Sequence, residues 1–173
     1  MAALRRFGVV SMVLALMLVG APGAEASSGS ITCTGSEVLT YNPGLQLFPR
    51  KVTLTVTANF GPCVSTNPAI ASGTAGTPPG GVPATLSCLT LLSPGSGQAS
   101  IKWNNGSTSQ YTFSHTSQTV GGQLITATTG KVIAGEFVGR SVLIVFVSPA
   151  PNFLDCLFGG LTQRTGVVTL TIT

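Results

Sequence analysis

The sequence predicts an all-β chain: an immunoglobulin-like β-sandwich of Greek-key type, with about eight to ten short strands behind an N-terminal export signal. Three observations lead there. Between Lys51 and Phe60 the apolar Val52, Leu54, Val56, Ala58 and Phe60 alternate with Thr53, Thr55, Thr57 and Asn59. A period of two gives a strand one apolar face and one hydroxyl-bearing face. Similar short runs recur between Gly- and Pro-rich turn signals, the spacing expected of a sandwich or barrel. No stretch outside the leader has the apolar spacing of an amphipathic helix. A strand with one apolar face needs a second layer over it, which favours two packed sheets.

Residues 1–26 form the expected leader. Arg5 and Arg6 precede an apolar run from Val9 to Val19, broken only by Ser11, and Ala24-Glu25-Ala26 is a small-x-small cleavage site before Ser27. The run is shorter than the roughly 20 apolar residues that span a bilayer. The mature product is then a single domain over 27–173, secreted, with no transmembrane anchor.

In chain order, Ile31–Asn42 supplies one or two short strands and Pro43-Gly44 a turn. The Lys51–Phe60 strand ends at Gly61-Pro62. Asn67–Pro83, rich in Gly, Pro, Ser and Thr, reads as a surface loop, and Ala84–Leu92 as the next strand. Ala99, Ile101 and Trp103, then Asn104-Asn105-Gly106, then Tyr111 and Phe113 form a hairpin. A three-residue loop with Gly106 left-handed pairs Trp103 with Ser107 and puts all five apolar side chains on one face. A two-residue loop would split them, and register follows the buried face. Strands follow at Gln123–Thr128, Lys131–Ala134 and Ser141–Ser148. Phe153–Gly160 is irregular, and a last strand starts near Thr165.

Cys33, Cys63, Cys88 and Cys156 are an even set in an exported chain, where disulfides are the expected state. Of three possible pairings, Cys33–Cys63 with Cys88–Cys156 is favoured. The first pair brackets the organising strand, and the second joins the similar segments Leu86–Leu89 and Leu154–Leu157. No two cysteines stand at metal-ligand spacing and His115 is the only histidine, so neither a metal site nor a cofactor is expected.

Only 7% of the 173 residues are charged against 43% hydrophobic, so the solvated surface must come from Ser, Thr, Asn, Gln and Gly. The net charge of +4 is not a patch: Arg5 and Arg6 leave with the leader, and beyond the adjacent Arg50 and Lys51 the cations are scattered. Nucleic-acid binding needs clustered cations and is not expected. An outer-membrane barrel needs aromatic girdles, whereas aromatics make up 6% of the chain.

Candidate site residues are few. His115 follows Ser114 and has Glu37, Glu136 and Asp155 as potential acid partners, but no Gly-x-Ser-x-Gly elbow accompanies them. Glu136 and Asp155 are a conceivable glycosidase pair, without the aromatic platform such sites use. Trp103, Tyr111 and Tyr41 are candidate ligand-binding aromatics for stacking on a sugar, although the alternation of Trp103 with Ile101 favours a core position.

The Arg-Arg leader, the opening Ile31-Thr32-Cys33-Thr34-Gly35, the segment Tyr41-Asn42-Pro43-Gly44 and the run from Thr129-Gly130 to Phe137-Val138-Gly139 resemble small secreted actinobacterial proteins of unknown function. The resemblance implies export and assigns no functional residue. The expected role is non-enzymatic binding or structural work at the cell exterior, with a cell-wall polymer or another secreted protein as partner. A carbohydrate-binding module, a small hydrolase using His115 and a protease inhibitor acting through Asn67–Pro83 are the alternatives.

Overall fold

The computed structural model describes residues 29–173; the leader expected at 1–26 lies outside the described residues. Nine strands are present: β1 (Ile31–Leu45), β2 (Arg50–Ser65), β3 (Gly73–Gly76), β4 (Val82–Leu86), β5 (Gly95–Trp103), β6 (Thr108–Val120), β7 (Gln123–Gly135), β8 (Ser141–Pro149) and β9 (Leu161–Ile172). A 3-10 turn spans Leu89–Leu92, and a short helix, α1, spans Phe153–Phe158.

The chain is all-β, but it is not a sandwich. Strand order is β1-β9-β8-β7-β6-β5-β3-β2, and β2 pairs back onto β1, so eight antiparallel strands close into a barrel. The ninth, β4, extends the ring by pairing with the first residues of β2, Arg50–Leu54. A sandwich needs two sheets with free edges, and here β1 has none: β2 fills one side and β9 the other. The sequence expectation failed because a period of two is common to both architectures.

The expected strands were also too short. Pro43-Gly44 lies inside β1 and Gly61-Pro62 inside β2. Thr129-Gly130 does not break β7, which runs on to Gly135. Asn67–Pro83 is not all loop, because it contains β3 and the start of β4. Ala84–Leu92 is half strand and half 3-10 turn, and α1 occupies the segment expected to be irregular. Inward-facing glycines explain why long strands look interrupted. Gly35 on β1 and Gly130 on β7 share the parity of the buried side chains, and a Cβ on either would collide with the neighbouring strand's carbonyl, that of Asn59 or Thr112. Glycine allows the strand to coil tightly there without ending it.

The β5–β6 hairpin has the three-residue loop. Trp103 N–H donates to Ser107 O at 2.9 Å, Gly106 N–H to Trp103 O at 3.0 Å, and Gly106 has φ of 87°. Ala99 stands opposite Tyr111. The disulfides join Cys33 to Cys63, directly opposed in the β1–β2 ladder, and Cys88 to Cys156, 68 residues apart.

Outward positions are mostly Thr, Ser, Gln and Lys, for instance Thr108, Gln110, Thr112, Ser114, Thr116 and Gln118 on β6, apart from an apolar strip at Leu143, Val145, Val147 and Val167. With Val64, Val120 and Ile133 as further isolated apolar positions, this face is not the continuous apolar band of a lipid-facing barrel. The ring is unevenly knitted. β3 and β5 share only three register pairs, Gly73–Ala75 with Ile101–Trp103, and among the described residues no ladder joins β4 to the Gly95–Ser100 half of β5. A slot is left in the wall.

Replacing Gly130 with Val should lower urea-unfolding stability by about 2–3 kcal/mol, the cost of overpacking. Thr129→Val, next door on the outer face, should stay within about 0.5 kcal/mol.

Candidate functional site

The lumen is divided along its length. At one end Ile31, Cys33, Phe60, Ile101, Trp103, Val132, Phe137, Val142, Leu170 and Ile172 pack into a solid plug. Trp103 sits edge-on to Phe137, ring centroids 5.8 Å apart, and its indole N–H donates to Ser109 Oγ at 2.8 Å; that hydroxyl donates in turn to Glu136 O at 2.7 Å. A buried indole N–H needs such a partner. Toward the other end a second, smaller cluster, Tyr41, Leu45 and Val52 with Leu39, Leu54 and Leu91 against it, stands apart from the plug, and the inward side chains do not fill the space between. They leave a cavity of about 490 Å³, walled by Leu39, Leu54, Val56, Phe113, Ile144 and Phe146 among others. An eight-stranded barrel is about wide enough to be filled by side chains or to hold one small ligand; this one does both, at opposite ends.

The mouth above the cavity is partly covered. The 3-10 turn contributes Thr90 and Leu91 to the lining, and the Cys88–Cys156 bond fastens that turn to α1. Leu89, Leu92, Leu154, Leu157 and Phe158 remain exposed around this staple. Thr77, Pro78 and Val82 on one side and Gln98 and Ala99 on the other line the cavity beside the slot between β4 and β5.

Into this mainly apolar space project a few polar groups. Glu37 and Tyr41 come from β1, Arg164 from β9, and Tyr111 and His115 from β6. Leu39 stands opposite Arg164 in the β1–β9 ladder, so Glu37 and Tyr41 are the inner-face neighbours of Leu39, one on each side of Arg164. Three strands lie between β1 and β6 around the ring in either direction, so Tyr111 and His115 face the group from across the lumen.

Arg164 is only 7% exposed and forms no ion pair among the described residues. Its Nε and Nη2 donate to Ser148 Oγ at 3.3 and 2.8 Å, and its guanidinium carbon lies 5.2 Å from the centre of the Phe146 ring. Tyr41 is 3% exposed, and its hydroxyl meets no partner at full hydrogen-bond geometry, although the Arg164 guanidinium lies near enough to act on it both by charge and as a side-chain donor. Burial raises the Tyr41 phenol above its ordinary value, and Arg164 offsets part of that rise. Burial, with the charge of Glu37 adding to it, pushes Tyr111 up to about 12. Glu37 is raised from its ordinary 4.5 to about 7, because desolvation outweighs the attraction of Arg164. The one inward carboxylate is therefore partly protonated near neutral pH, and the arginine beside it is only partly neutralised.

The residues singled out from sequence fall apart spatially. Tyr41 and Tyr111 both line the cavity, whereas Trp103 lies in the plug and presents no surface for stacking. His115 points inward and stacks on Phe113 at 6.2 Å, while Ser114 points outward to Thr129, with hydroxyl oxygens 3.5 Å apart; strand parity separates this pair. Glu136 follows β7 at the plugged end, and Asp155 is in α1 beyond β8, at the mouth, so they cannot act together on one glycosidic bond. Among the described residues no group of three His, Cys, Asp or Glu could hold a metal ion. By sequence Arg164 is one of several scattered cations, and Glu37 a potential acid partner for His115. Parity was the available signal: Arg164 is in phase with Val168, Leu170 and Ile172, and Glu37 with Cys33, Leu39 and Tyr41. An ionisable residue in phase with a core face is the informative exception.

Glu37 should leave a signature in stability. Between pH 4.5 and about 7 the folded chain holds a proton that the unfolded chain has released, so stability falls as pH rises through this window and levels off above it. The full difference is on the order of 3 kcal/mol as an upper bound. Urea unfolding at pH 5, 6, 7 and 8 should show the decline in the wild type and its loss in Glu37→Gln. No protein-family model, no curated protein and no solved structure matches the chain.

Proposed function

We propose that the protein is an exported, non-enzymatic carrier or receptor for one small, mainly apolar molecule, held inside the barrel. The observation that carries this reading is the lumen itself: a closed ring of strands, solid at one end, with an apolar cavity of about 490 Å³ at the other. Ligand sites are typically apolar concavities of about 300–1,000 Å³ with a few placed polar groups. A purely structural barrel of this strand number would be expected to fill its interior with side chains throughout. Two disulfides, with no free cysteine among the described residues, fit an oxidising compartment, and export through the 1–26 leader is part of the proposal. A small guest takes the place of the cell-wall polymer expected from the sequence, because the concave surface is internal and Trp103 is not available outside.

The neutral fluorescent probe N-phenyl-1-naphthylamine tests this. The wild type should bind it saturably with one-to-one stoichiometry. Val56→Trp, which places a large ring in the cavity, should weaken binding by about tenfold or more. Absence of binding, or binding indifferent to Val56→Trp, would remove the lumen as the site.

A further inference from the structure

We propose that the lumen selects a ligand bearing a carboxylate, which docks between the guanidinium of Arg164 and the hydroxyl of Tyr41 with its apolar remainder in the cavity. This names the ligand class for the small-molecule reading above and rests on it.

Two neighbouring buried groups at the cavity wall have hydrogen-bonding capacity that the protein does not fill, and their chemistries converge. Arg164 is 7% exposed, yet its donors reach a single neutral acceptor, Ser148 Oγ, and Nη1 donates to no protein atom among the described residues. A buried charge without a counter-charge is costly. A guanidinium offers a planar fork matched to the two oxygens of a carboxylate. The Tyr41 hydroxyl is the one buried side-chain polar atom without a hydrogen bond among the described residues, and it borders the same cavity. A hydroxyl there can donate to an oxygen already held by the arginine.

The protein does not supply that anion itself. Glu37 is the only carboxylate lining the cavity, and it makes no ion pair with Arg164 among the described residues. The groups around it are Arg164 from β9, Tyr41 on its own strand, and Tyr111 and His115 from β6. β2 contributes only Leu54, Val56, Ala58 and Phe60 to the lining, and β8 only Ile144 and Phe146. With its carboxyl raised to about 7 and so partly protonated near neutral pH, Glu37 cancels the positive charge of Arg164 only in part. The walls beyond are mainly aliphatic and aromatic, with Gln98, Ser117, Thr126 and Thr128 among the uncharged polar exceptions, so the fitting guest is a monoanionic amphiphile, not a small hydrophilic anion.

Competition against bound N-phenyl-1-naphthylamine at pH 7 decides the matter, with octanoate, 1-octanol and octyl sulfate as competitors of matched chain length. Octanoate should displace the probe at about one-tenth or less of the octanol concentration. Arg164→Gln should bring the octanoate-to-octanol preference close to one. Tyr41→Phe, which removes a single oxygen and is the milder change for folding, should reduce the preference about threefold to tenfold. Equal displacement by octanoate and octanol in the wild type, or a preference that survives both substitutions, overturns the inference. Octyl sulfate displacing the probe about tenfold better than octanoate also overturns it, in favour of a tetrahedral head group. Failure of the wild type to bind the probe at all brings down the lumen reading and this inference with it, whereas probe binding without preference brings down this inference alone.

Discussion

Everything in this molecule depends on the first strand having no free edge. β1 exchanges hydrogen bonds with β2 on one side and with β9, the last strand in sequence, on the other. Backbone donors and acceptors are thereby paired across the seam that an open sheet would leave exposed. Closure also creates an inside. Alternation along each strand then sorts side chains into a lumen and a surface, where a sandwich would sort them into an interlayer core and two outer faces. Long strands that coil at Gly35 and Gly130 make the closure geometrically possible.

The lumen divides its work along the axis. Near the Cys33–Cys63 bond the side chains are large and interlocked, with Trp103, Phe137 and Ile101 among them. This half supplies cohesion. The other half has a smaller core and more polar groups inside: it holds a cavity, a buried guanidinium, a phenol with unfilled hydrogen-bonding capacity and a carboxyl whose pKa burial raises to about 7. Each of these features lowers stability. The Cys88–Cys156 bond stands at this weaker end and closes a long chain segment, so constraint of the unfolded chain compensates where packing does not.

Much of this was legible from residues alone. Alternation in Val52–Phe60 marks a strand, and Trp103, Gly106 and Tyr111 set the hairpin register, because only one loop length keeps the apolar side chains together. The closure was not legible. Pairing of β1 with β9 is a contact between the ends of the described chain, and nothing local in Ile31–Asn42 or Val168–Thr173 records it. Gly130 and Gly61 read as punctuation, since a glycine that coils a strand and one that ends it look the same in sequence. The cavity was invisible for a related reason: voids arise from the joint arrangement of many strands. The inward phase of Glu37 and Arg164 was visible, but it acquires meaning only once the opposite wall is in place.

The three-residue join between β3 and β5, with the unladdered stretch beside it, has a kinetic consequence. In the proposed carrier, guest exchange does not require the whole fold to come apart. Parting of a few backbone contacts at this clasp widens the slot beside Thr77, Pro78, Gln98 and Ala99 while the interlocked end and both covalent bonds stay intact. Residence time is then governed by a local breathing motion and is decoupled from global robustness. Durability of the fold and speed of exchange would then be set in different places, the first by the interlocked end and the second by this clasp.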